Sequence, residues 1–473
     1  MSHDRFDVVL AGNYLTTLVA AVELARAGRK ICVVNPVPTW GGHFTRIQVD
    51  GIAFDPGAIS HEFTAYNDSG ASDPLNYDSR RRNDWGRFTR LIEAYTRSHI
   101  DLERMPMPAT VFDGDLHPDV VMGNRLDVLQ HPLLKGKARQ ELAHLMKLGA
   151  QDLHPRHKKT SPVFVEKSYY DVSLQNHGAT LHCALFEPMF HKMSNISTTR
   201  LLALYHRIAW LPLYYPETLL SQYGEVPQQL PETYFCYPKA GYVGAFAEAL
   251  VRALQAAGVE MVREGIARLE GKGPGPNRIT LKNGRVVEAP RLVWSLAHDQ
   301  IVADVTGKPP SNFERWSAML VFVTVPRRSL KRDFSVLYAP DEGVLFYRAS
   351  NQTTSAGQAD ADVRIVFEIN PDYAAARGVG AEDEVVARLR ADLQRLGIVD
   401  APGDIKVVGV RTMRNVLLLP SAENWKVLET ERDVLLDAYP NVAFTRNVES
   451  FFTDTLNDQI IKGLKIAAQL RAS

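Results

Sequence analysis

The opening strand–turn–helix–strand unit constrains this chain most, because it keeps only one glycine of a dinucleotide-binding fingerprint. Residues 6–11 form a short apolar run, and Gly12 follows it as a turn residue. Residues 15–28 have helical spacing and end on a glycine, and residues 30–35 form a second apolar run. This order is typical of the first βαβ unit of a Rossmann-type nucleotide domain. We therefore predict an α/β fold that begins with parallel strands.

The departures from the fingerprint fall on the positions that contact a dinucleotide. The pattern G-x-G-x-x-G begins at Gly12, but Tyr14 and Thr17 stand at its second and third glycine positions. These two glycines normally let the backbone approach a pyrophosphate and let the helix pack closely on the strand. Asn35 ends the second strand, where an acidic residue usually accepts hydrogen bonds from a ribose; an amide can still accept them, without charge.

Two interpretations of these departures stay open. The unit either no longer holds a dinucleotide in the usual way, or it forms an altered but working cofactor site. In the second case the helix N-terminus still offers N–H groups to an anion. The ring of Tyr14 could then pack on an adenine or ribose while water molecules bind the pyrophosphate.

Composition excludes several classes of protein. A chain of 473 residues is too long for one compact core, so we expect two or more domains. The 54 basic residues equal the 54 acidic residues, which argues against a nucleic-acid-binding protein. The three cysteines lack CxxC spacing, and no histidine cluster has a metal-ligand pattern, so we predict no metal. Without a secretory signal or a long apolar run, we expect a cytoplasmic protein with no membrane span.

Segments of the Rossmann type occur three times along the chain and alternate with different material. A helix at 243–257 and several short strands up to residue 295 form the second group. A strand at 442–444 and a helix at 458–471 form the third. We therefore predict two interwoven domains. The dinucleotide-binding domain would comprise residues 1–60, 235–310 and 405–473, and an α+β substrate or cap domain would comprise residues 61–234 and 311–404.

The material between the Rossmann segments has its own predicted elements. Asp113-Gly114 predicts the turn of a hairpin over residues 105–121. The remaining expectations are a polar surface loop at 65–85, helices at 85–100, 137–149, 178–208 and 381–396, and strands at 317–325 and 361–370. Residues 205–242 are dense in aromatic side chains, which either shape a pocket or pack in a core.

Several motifs along the whole chain resemble the flavin-dependent amine oxidase superfamily. Gly41-Gly42-His43-Phe44 is similar to the family's GG-R or GG-N loop, with His43 in place of Arg or Asn. The other matching segments are Gly51-Ile52 with Phe54-Asp55-x-Gly57-Ala58, Tyr237-Pro238-x-x-Gly241-Tyr242, and the closing stretch from Pro440 through Thr445-Arg446-Asn447 to Gly463. Thr445-Arg446-Asn447 lacks the glycine usual in that motif. This superfamily includes protoporphyrinogen oxidases, phytoene desaturases and UDP-galactopyranose mutases. Leu345–Arg348 and Leu417–Pro420 are similar to segments of the mutases.

The resemblance implies a Rossmann-type FAD/NAD(P)-binding domain with FAD as the cofactor. It would place at the cofactor the residues Gly12, Asn13, Tyr14, Asn35, Gly41, Gly42, His43, Arg446 and Asn447. It further implies hydride transfer at the flavin N5 atom or, in a mutase, a covalent sugar–flavin adduct. Arg348 and Arg446 would be the catalytic residues in the substrate pocket, and for Arg348 a salt bridge between domains is the alternative.

The sequence thus predicts an FAD-dependent oxidoreductase or mutase-like enzyme with a degenerate cofactor site. Its substrate would be a small organic molecule or a nucleotide sugar. A flavin-free descendant of the fold, acting as a binding or scaffold protein for a partner enzyme or a biosynthetic product, is the first alternative. An NAD(P)-binding protein is the second alternative. A protein partner or a homo-oligomer is left open.

Overall fold

The computed structural model describes residues 3–64, 89–119, 127–148, 166–203, 214, 216–226, 233–273, 275–445 and 455–472. The predicted polar loop at 65–85 lies wholly outside these residues. So do Arg446 and Asn447, two of the predicted site residues, and three of the aromatic residues of 205–242, namely Tyr205, Trp210 and Tyr215. Within the described parts of the chain, no helix combines the length and the apolar character that a membrane crossing needs.

A five-stranded parallel sheet, here called the nucleotide sheet, forms the centre of one half of the molecule. Its strands are short apolar runs, most of them buried on both faces, as is usual when helices cover a parallel sheet. In spatial order the strands are Glu260–Val262, Ile31–Val34, Val8–Ala11, Arg291–Trp294 and Val442–Phe444. The predicted α/β class with a Rossmann-type unit is confirmed.

The first helix, Leu15–Arg26, packs against the nucleotide sheet on one side and the closing helix Leu456–Ala472 on another. The two helices approach closely at Gly463, where an added Cβ atom would lie 2.6 Å from the Cβ atom of Val19. This close packing brings the beginning of the closing helix to the beginning of the first helix. The first helix and the closing helix, which are far apart in sequence, therefore pack side by side beside the nucleotide sheet.

A seven-stranded sheet, here called the large sheet, forms the second half. In spatial order its strands are Lys406–Leu418, Arg315–Pro326, Asp362–Ile369, Arg348–Asn351, Val336–Tyr338, Ala109–Phe112 and Asp115–Pro118. All neighbours are antiparallel except Val336–Tyr338 with Ala109–Phe112. Helix Glu382–Arg395 packs on this sheet through Val385, Leu389 and Leu393. The predicted hairpin turn at Asp113-Gly114 is confirmed, and both residues have positive φ angles.

Three smaller sheets and further helices complete the described structure. One sheet contains His3–Arg5, Val286–Ala289, Asn277–Leu281 and Ile266–Glu270; a second contains His61–Thr64, Thr233–Pro238 and Leu102–Arg104; a third pairs Ile47–Val49 with Ile52–Phe54. The other α-helices are Thr89–Arg97, Pro132–Leu148, Tyr169–Leu181, Glu187–Ser194, Pro216–Ser221, Ala245–Ala256, Asp299–Thr306, Gln352–Ser355, Pro371–Ala376 and Ala422–Ala438.

One predicted helix differs from the observed structure. The sequence predicted a helix over residues 178–208, whereas the described helical segment begins at Tyr169 and ends at Ser194; residues 204–208 of the predicted helix lie outside the described residues. Asn195 adopts a left-handed conformation with φ of 57°, which ends the helix as an αL cap.

The domain division stays a prediction. Strand Lys406–Leu418 pairs along its length with Arg315–Pro326 of the large sheet. We propose on this basis that the last dinucleotide-domain segment begins after residue 418 rather than at 405.

Candidate functional site

Gly12 forms the turn at the carboxyl end of strand Val8–Ala11 in the nucleotide sheet. Its φ angle is +129°, and a Cβ atom added to it would lie 2.0 Å from the Oγ atom of Ser295. Both the conformation and the lack of space therefore require glycine here. The turn places Asn13 and Tyr14 at the edge where open α/β sheets bind their ligands.

Thr17, at the third fingerprint position, is paired with a residue of the neighbouring strand end. Its hydroxyl lies 2.7 Å from the Ser295 hydroxyl, and both side chains are fully buried. Ser295 also donates a hydrogen bond to the carbonyl oxygen of Ala11 at 3.2 Å. A hydroxyl has one proton, so Thr17 is the donor to Ser295. The residue that replaces the glycine thus makes a satisfied contact between helix and sheet.

Tyr14, at the second fingerprint position, packs on the double-glycine loop. The N–H group of Gly41 donates to the carbonyl oxygen of Asn13 at 2.7 Å, which holds the loop against the turn. A Cβ atom added to Gly42 would lie 2.8 Å from the Tyr14 ring, and the ring centroid lies 6.1 Å from that of His43. The tyrosine ring therefore lies between the start of the first helix and the loop. A glycine at this position, as in the fingerprint, would leave that space for a ligand.

A neutral side chain binds one of the N–H groups at the start of the first helix. The backbone N–H group of Thr16 donates to Oε1 of Gln459 at 3.3 Å. Gln459 belongs to the closing helix and is 1% exposed. The first N–H groups of a helix lack partners within the helix and commonly bind phosphate. In this chain, part of that anion-binding capacity is already used by Gln459.

Asn35, at the ribose position, is buried and binds its own loop. Its Nδ2 atom donates to the carbonyl oxygen of Thr39 at 2.9 Å, and its Oδ1 atom accepts from the N–H group of Val37 at 3.0 Å. The side chain of Asn13 donates to the same Thr39 oxygen at 3.1 Å. Asn35 is 0% exposed, so its amide faces the 35–39 loop rather than a ligand cleft.

These contacts test whether the residues fit a bound dinucleotide. The usual binding mode needs close backbone approach at the second glycine, free N–H donors at the helix start and an exposed acceptor at the end of the second strand. Here the corresponding groups are the Tyr14 ring, a Thr16 N–H group bound to Gln459, and the buried Asn35. The residues do not fit FAD or NAD(P) held in that mode.

The structure brings most of the predicted cofactor residues together around one turn. Direct contacts or shared partners join Gly12, Asn13, Tyr14, Asn35, Gly41, Gly42 and His43. The sequence did not indicate Ser295 or Gln459. A signal for Ser295 was its position directly after an apolar strand, at the sheet edge that carries ligands. For Gln459 the signal was its place in the closing stretch that resembles the superfamily's flavin-facing helix, although that resemblance did not indicate its bond to Thr16.

Arg348, predicted to be catalytic, lies in the large sheet in an ion pair with Glu368 on the adjacent strand. Its Nε and Nη2 atoms donate to the two carboxylate oxygens at 2.7 and 2.6 Å. The arginine side chain is 17% exposed and the glutamate side chain 5%. Glu368 also accepts from the N–H group of Ala58 at 2.8 Å and from the hydroxyl of Tyr347 at 3.2 Å. The ion pair thus joins the large sheet to the Gly57-Ala58 segment.

A second buried carboxyl group lies in that same segment. Asp55 is 0% exposed and accepts hydrogen bonds from the Tyr237 hydroxyl and from the N–H group of Val243. Its backbone N–H group donates to Oε1 of Gln352 at 3.0 Å. Burial raises the pKa of Asp55 to about 7, although the hydrogen bonds from Tyr237 and Val243 act in the opposite direction. Asp55 therefore joins its own segment to the 237–243 segment through its side chain and to Gln352 through its backbone.

The described aromatic residues of 205–242 lie mostly in a hydrophobic core. Tyr214, Phe235 and Tyr237 are each at most 2% exposed and belong to one apolar cluster. Tyr234 is partly buried and donates from its hydroxyl to Glu93 at 2.7 Å. For these residues the packing interpretation describes the structure.

Comparisons with known proteins give matches at the level of structure. No protein-family model and no curated protein matches the chain. The crystal structure of reduced UDP-galactopyranose mutase is 14% identical, with a TM-score of 0.67, and the match covers 98% of this chain and 93% of that one.

Two oxidases are similar over their whole length. A protein from Exiguobacterium sp. 255-15, provisionally assigned as a protoporphyrinogen oxidase, is 16% identical with a TM-score of 0.63, covering 100% and 99% of the two chains. A putrescine oxidase variant is 12% identical with a TM-score of 0.62, covering 100% of both chains. At these identities the matches establish the fold alone. The protein therefore has the fold of the flavin-dependent amine oxidase superfamily, as its sequence motifs predicted.

Proposed function

We propose that this protein is a flavin-free descendant of its fold, which acts as a binding or scaffold protein for a partner enzyme or a biosynthetic product. One observation carries the proposal. Two groups that a dinucleotide would bind are already paired within the chain: the N–H group of Thr16, at the start of the first helix, with Gln459, and the side chain of Asn35, after strand Ile31–Val34, with the 35–39 loop.

The energetic consequence for a dinucleotide is large enough to decide affinity. Binding of a dinucleotide in the usual mode would break the hydrogen bond between Thr16 and Gln459 and both side-chain hydrogen bonds of Asn35. Each such bond contributes about 1 kcal/mol, so the loss is roughly 3 kcal/mol. That loss weakens binding by about a hundredfold, before the displacement of the Tyr14 ring is counted.

The experiment is an absorption spectrum of the purified protein, followed by addition of FAD. We expect no flavin absorption bands and no rise in melting temperature with FAD or NAD(P), because a ligand stabilises only a protein that binds it. A purified protein that carries the visible bands of a flavin would overturn the proposal.

Three variants make this experiment sharper. Gln459→Ala frees the Thr16 N–H group, while Tyr14→Gly and Thr17→Gly restore the fingerprint glycines. We expect that no single one of these substitutions restores FAD binding, since each variant still has Asn35 buried in its loop.

A second candidate is an FAD-dependent oxidoreductase or mutase-like enzyme with an altered site, acting on a small organic molecule or a nucleotide sugar. The retained backbone favours it: Gly12, Gly41 and Gly42 keep positive φ angles of 129°, 101° and 63°. The mutase and the oxidases that the chain resembles are enzymes and match it over nearly its whole length. In this candidate Gln459 and Asn35 would turn away from their present partners when FAD binds. The same spectrum separates the two candidates, since only this one predicts a flavin in the purified protein.

A further inference from the structure

Two helices of the nucleotide-sheet half are joined by a buried cluster of one histidine and two carboxylates. His298 directly precedes helix Asp299–Thr306, and Asp299 is that helix's first residue. Glu431 lies in helix Ala422–Ala438, and its Oε2 atom is 3.0 Å from Nε2 of His298. One ligand atom from each of the three side chains lies within 4.8 Å of the other two. His298 and Glu431 are each 3% exposed, and Asp299 is partly buried.

The hydrogen bond to His298 uses only one of the two carboxylate oxygens of Glu431. Among the described residues, Oε1 of Glu431 is buried and has no hydrogen-bond partner. Buried polar atoms are nearly always paired, and an exception calls for an explanation such as local strain, a catalytic role, or a bound ion or water molecule. An unpaired carboxylate oxygen beside an imidazole and a second carboxylate has the chemistry of a cation ligand.

The spacing of the cluster is compatible with a metal ion. A tetrahedral zinc ion with ligands at about 2.0–2.2 Å holds its ligand atoms about 3.4 Å apart. Nε2 of His298 and Oε2 of Glu431 are 3.0 Å apart, which is close to that value, and the ligand atom of Asp299 lies within 4.8 Å of those of the other two side chains. Imidazole and carboxylate ligands suit divalent ions such as zinc and manganese. Three protein ligands leave a fourth position for water.

We infer that His298, Asp299 and Glu431 bind one divalent transition-metal ion, for which zinc is the probe. A dication balances the charge of two carboxylates that lie close together in a buried site. The inference does not depend on the proposed function. It differs from the expectation of no metal, because His298 and Glu431 are 133 positions apart and sequence spacing could not relate them.

The test uses the full-length protein after chelator treatment. Zinc is titrated into it by isothermal titration calorimetry, and metal analysis gives the number of zinc ions per chain. We expect one zinc ion per chain and a higher melting temperature with zinc. Asp299→Asn should weaken zinc binding at least about tenfold, because even residues behind metal ligands have effects of that size. Glu431→Gln, which removes the buried charge, should abolish the melting-temperature shift.

Asp304→Asn is the matched control. Asp304 is an exposed carboxylate on the same helix, bound to Gln300 at 2.7 Å, and its replacement should leave zinc affinity unchanged. If Glu431→Gln fails to fold, the partly exposed Asp299 decides the matter. No zinc uptake by the wild type, or equal affinity in the wild type and Asp299→Asn, would show that His298 and Glu431 form a hydrogen-bonded pair only.

Discussion

The pairing of Thr17 with Ser295 makes a specific prediction about the missing fingerprint glycine. If the threonine is integrated into the fold, its hydroxyl should contribute to stability through Ser295 and through no other group. Thr17→Val removes the hydroxyl and preserves the shape of the side chain. Because Ser295 still donates to Ala11, this change leaves no buried donor without a partner.

The expected size of the effect follows from the geometry. The hydroxyl–hydroxyl distance is 2.7 Å in a fully buried site, so the net contribution of the bond is about 1 kcal/mol. Thr17→Val should therefore lower the free energy of unfolding by about 1 kcal/mol. Ser295→Ala should cost about 1–2 kcal/mol, since it deprives the Thr17 hydroxyl of its acceptor.

A double-mutant cycle isolates the pair. The Thr17→Val/Ser295→Ala double variant should be destabilised by about 1 kcal/mol less than the sum of the single variants. The measurement is urea denaturation of the four proteins, compared at a constant m-value. A coupling energy below about 0.3 kcal/mol would refute the argument, because that is the additivity expected of independent sites.

Three further predictions concern other buried contacts. Glu368→Gln leaves the largely buried Arg348 guanidinium without a charged partner, so the free energy of unfolding should fall by about 3 kcal/mol in urea denaturation; an unchanged midpoint would contradict this. The pKa of Asp55 in the folded protein, about 7, lies above the ordinary value of 3.8. The protonated carboxyl group therefore contributes its full stabilisation below about pH 4, and this stabilisation is lost as pH rises through 7. The wild type should therefore lose stability from pH 4 to 7 relative to Asp55→Asn, and parallel stability curves of the two proteins would contradict the assignment. Gln459→Ala should lower the free energy of unfolding by about 1 kcal/mol through the loss of its bond to Thr16, and a stabilised variant would show that this contact is unfavourable.

Much of the fold could be predicted because its signals are local. The apolar runs at residues 6–11 and 30–35, with Gly12 between them, identify a βαβ unit without any knowledge of distant contacts. The turn at Asp113-Gly114 is similarly readable, since positive φ angles at both positions favour these residue types. Strand Val336–Tyr338 escaped prediction because it is defined by its pairing with Arg348–Asn351 and with the distant strand Ala109–Phe112.

The site was less predictable because its decisive contacts join distant parts of the chain. Thr16 and Gln459 are 443 positions apart, and Ala58 and Glu368 are 310 apart. The sequence showed that Tyr14, Thr17 and Asn35 depart from the fingerprint. It did not show which groups these residues and the helix start contact instead, because those partners are distant in sequence. The catalytic role predicted for Arg348 stays a prediction.

We propose that the protein's own side chains occupy the groups that would otherwise bind a dinucleotide. Calorimetric titration of FAD into the purified wild-type protein tests it most directly. We predict no saturable binding at FAD concentrations of up to about 10 μM, because a site that must first lose roughly 3 kcal/mol of internal hydrogen bonds binds about a hundredfold more weakly. Saturable binding of one FAD per chain, with a dissociation constant of about 1 μM or less, would contradict the account.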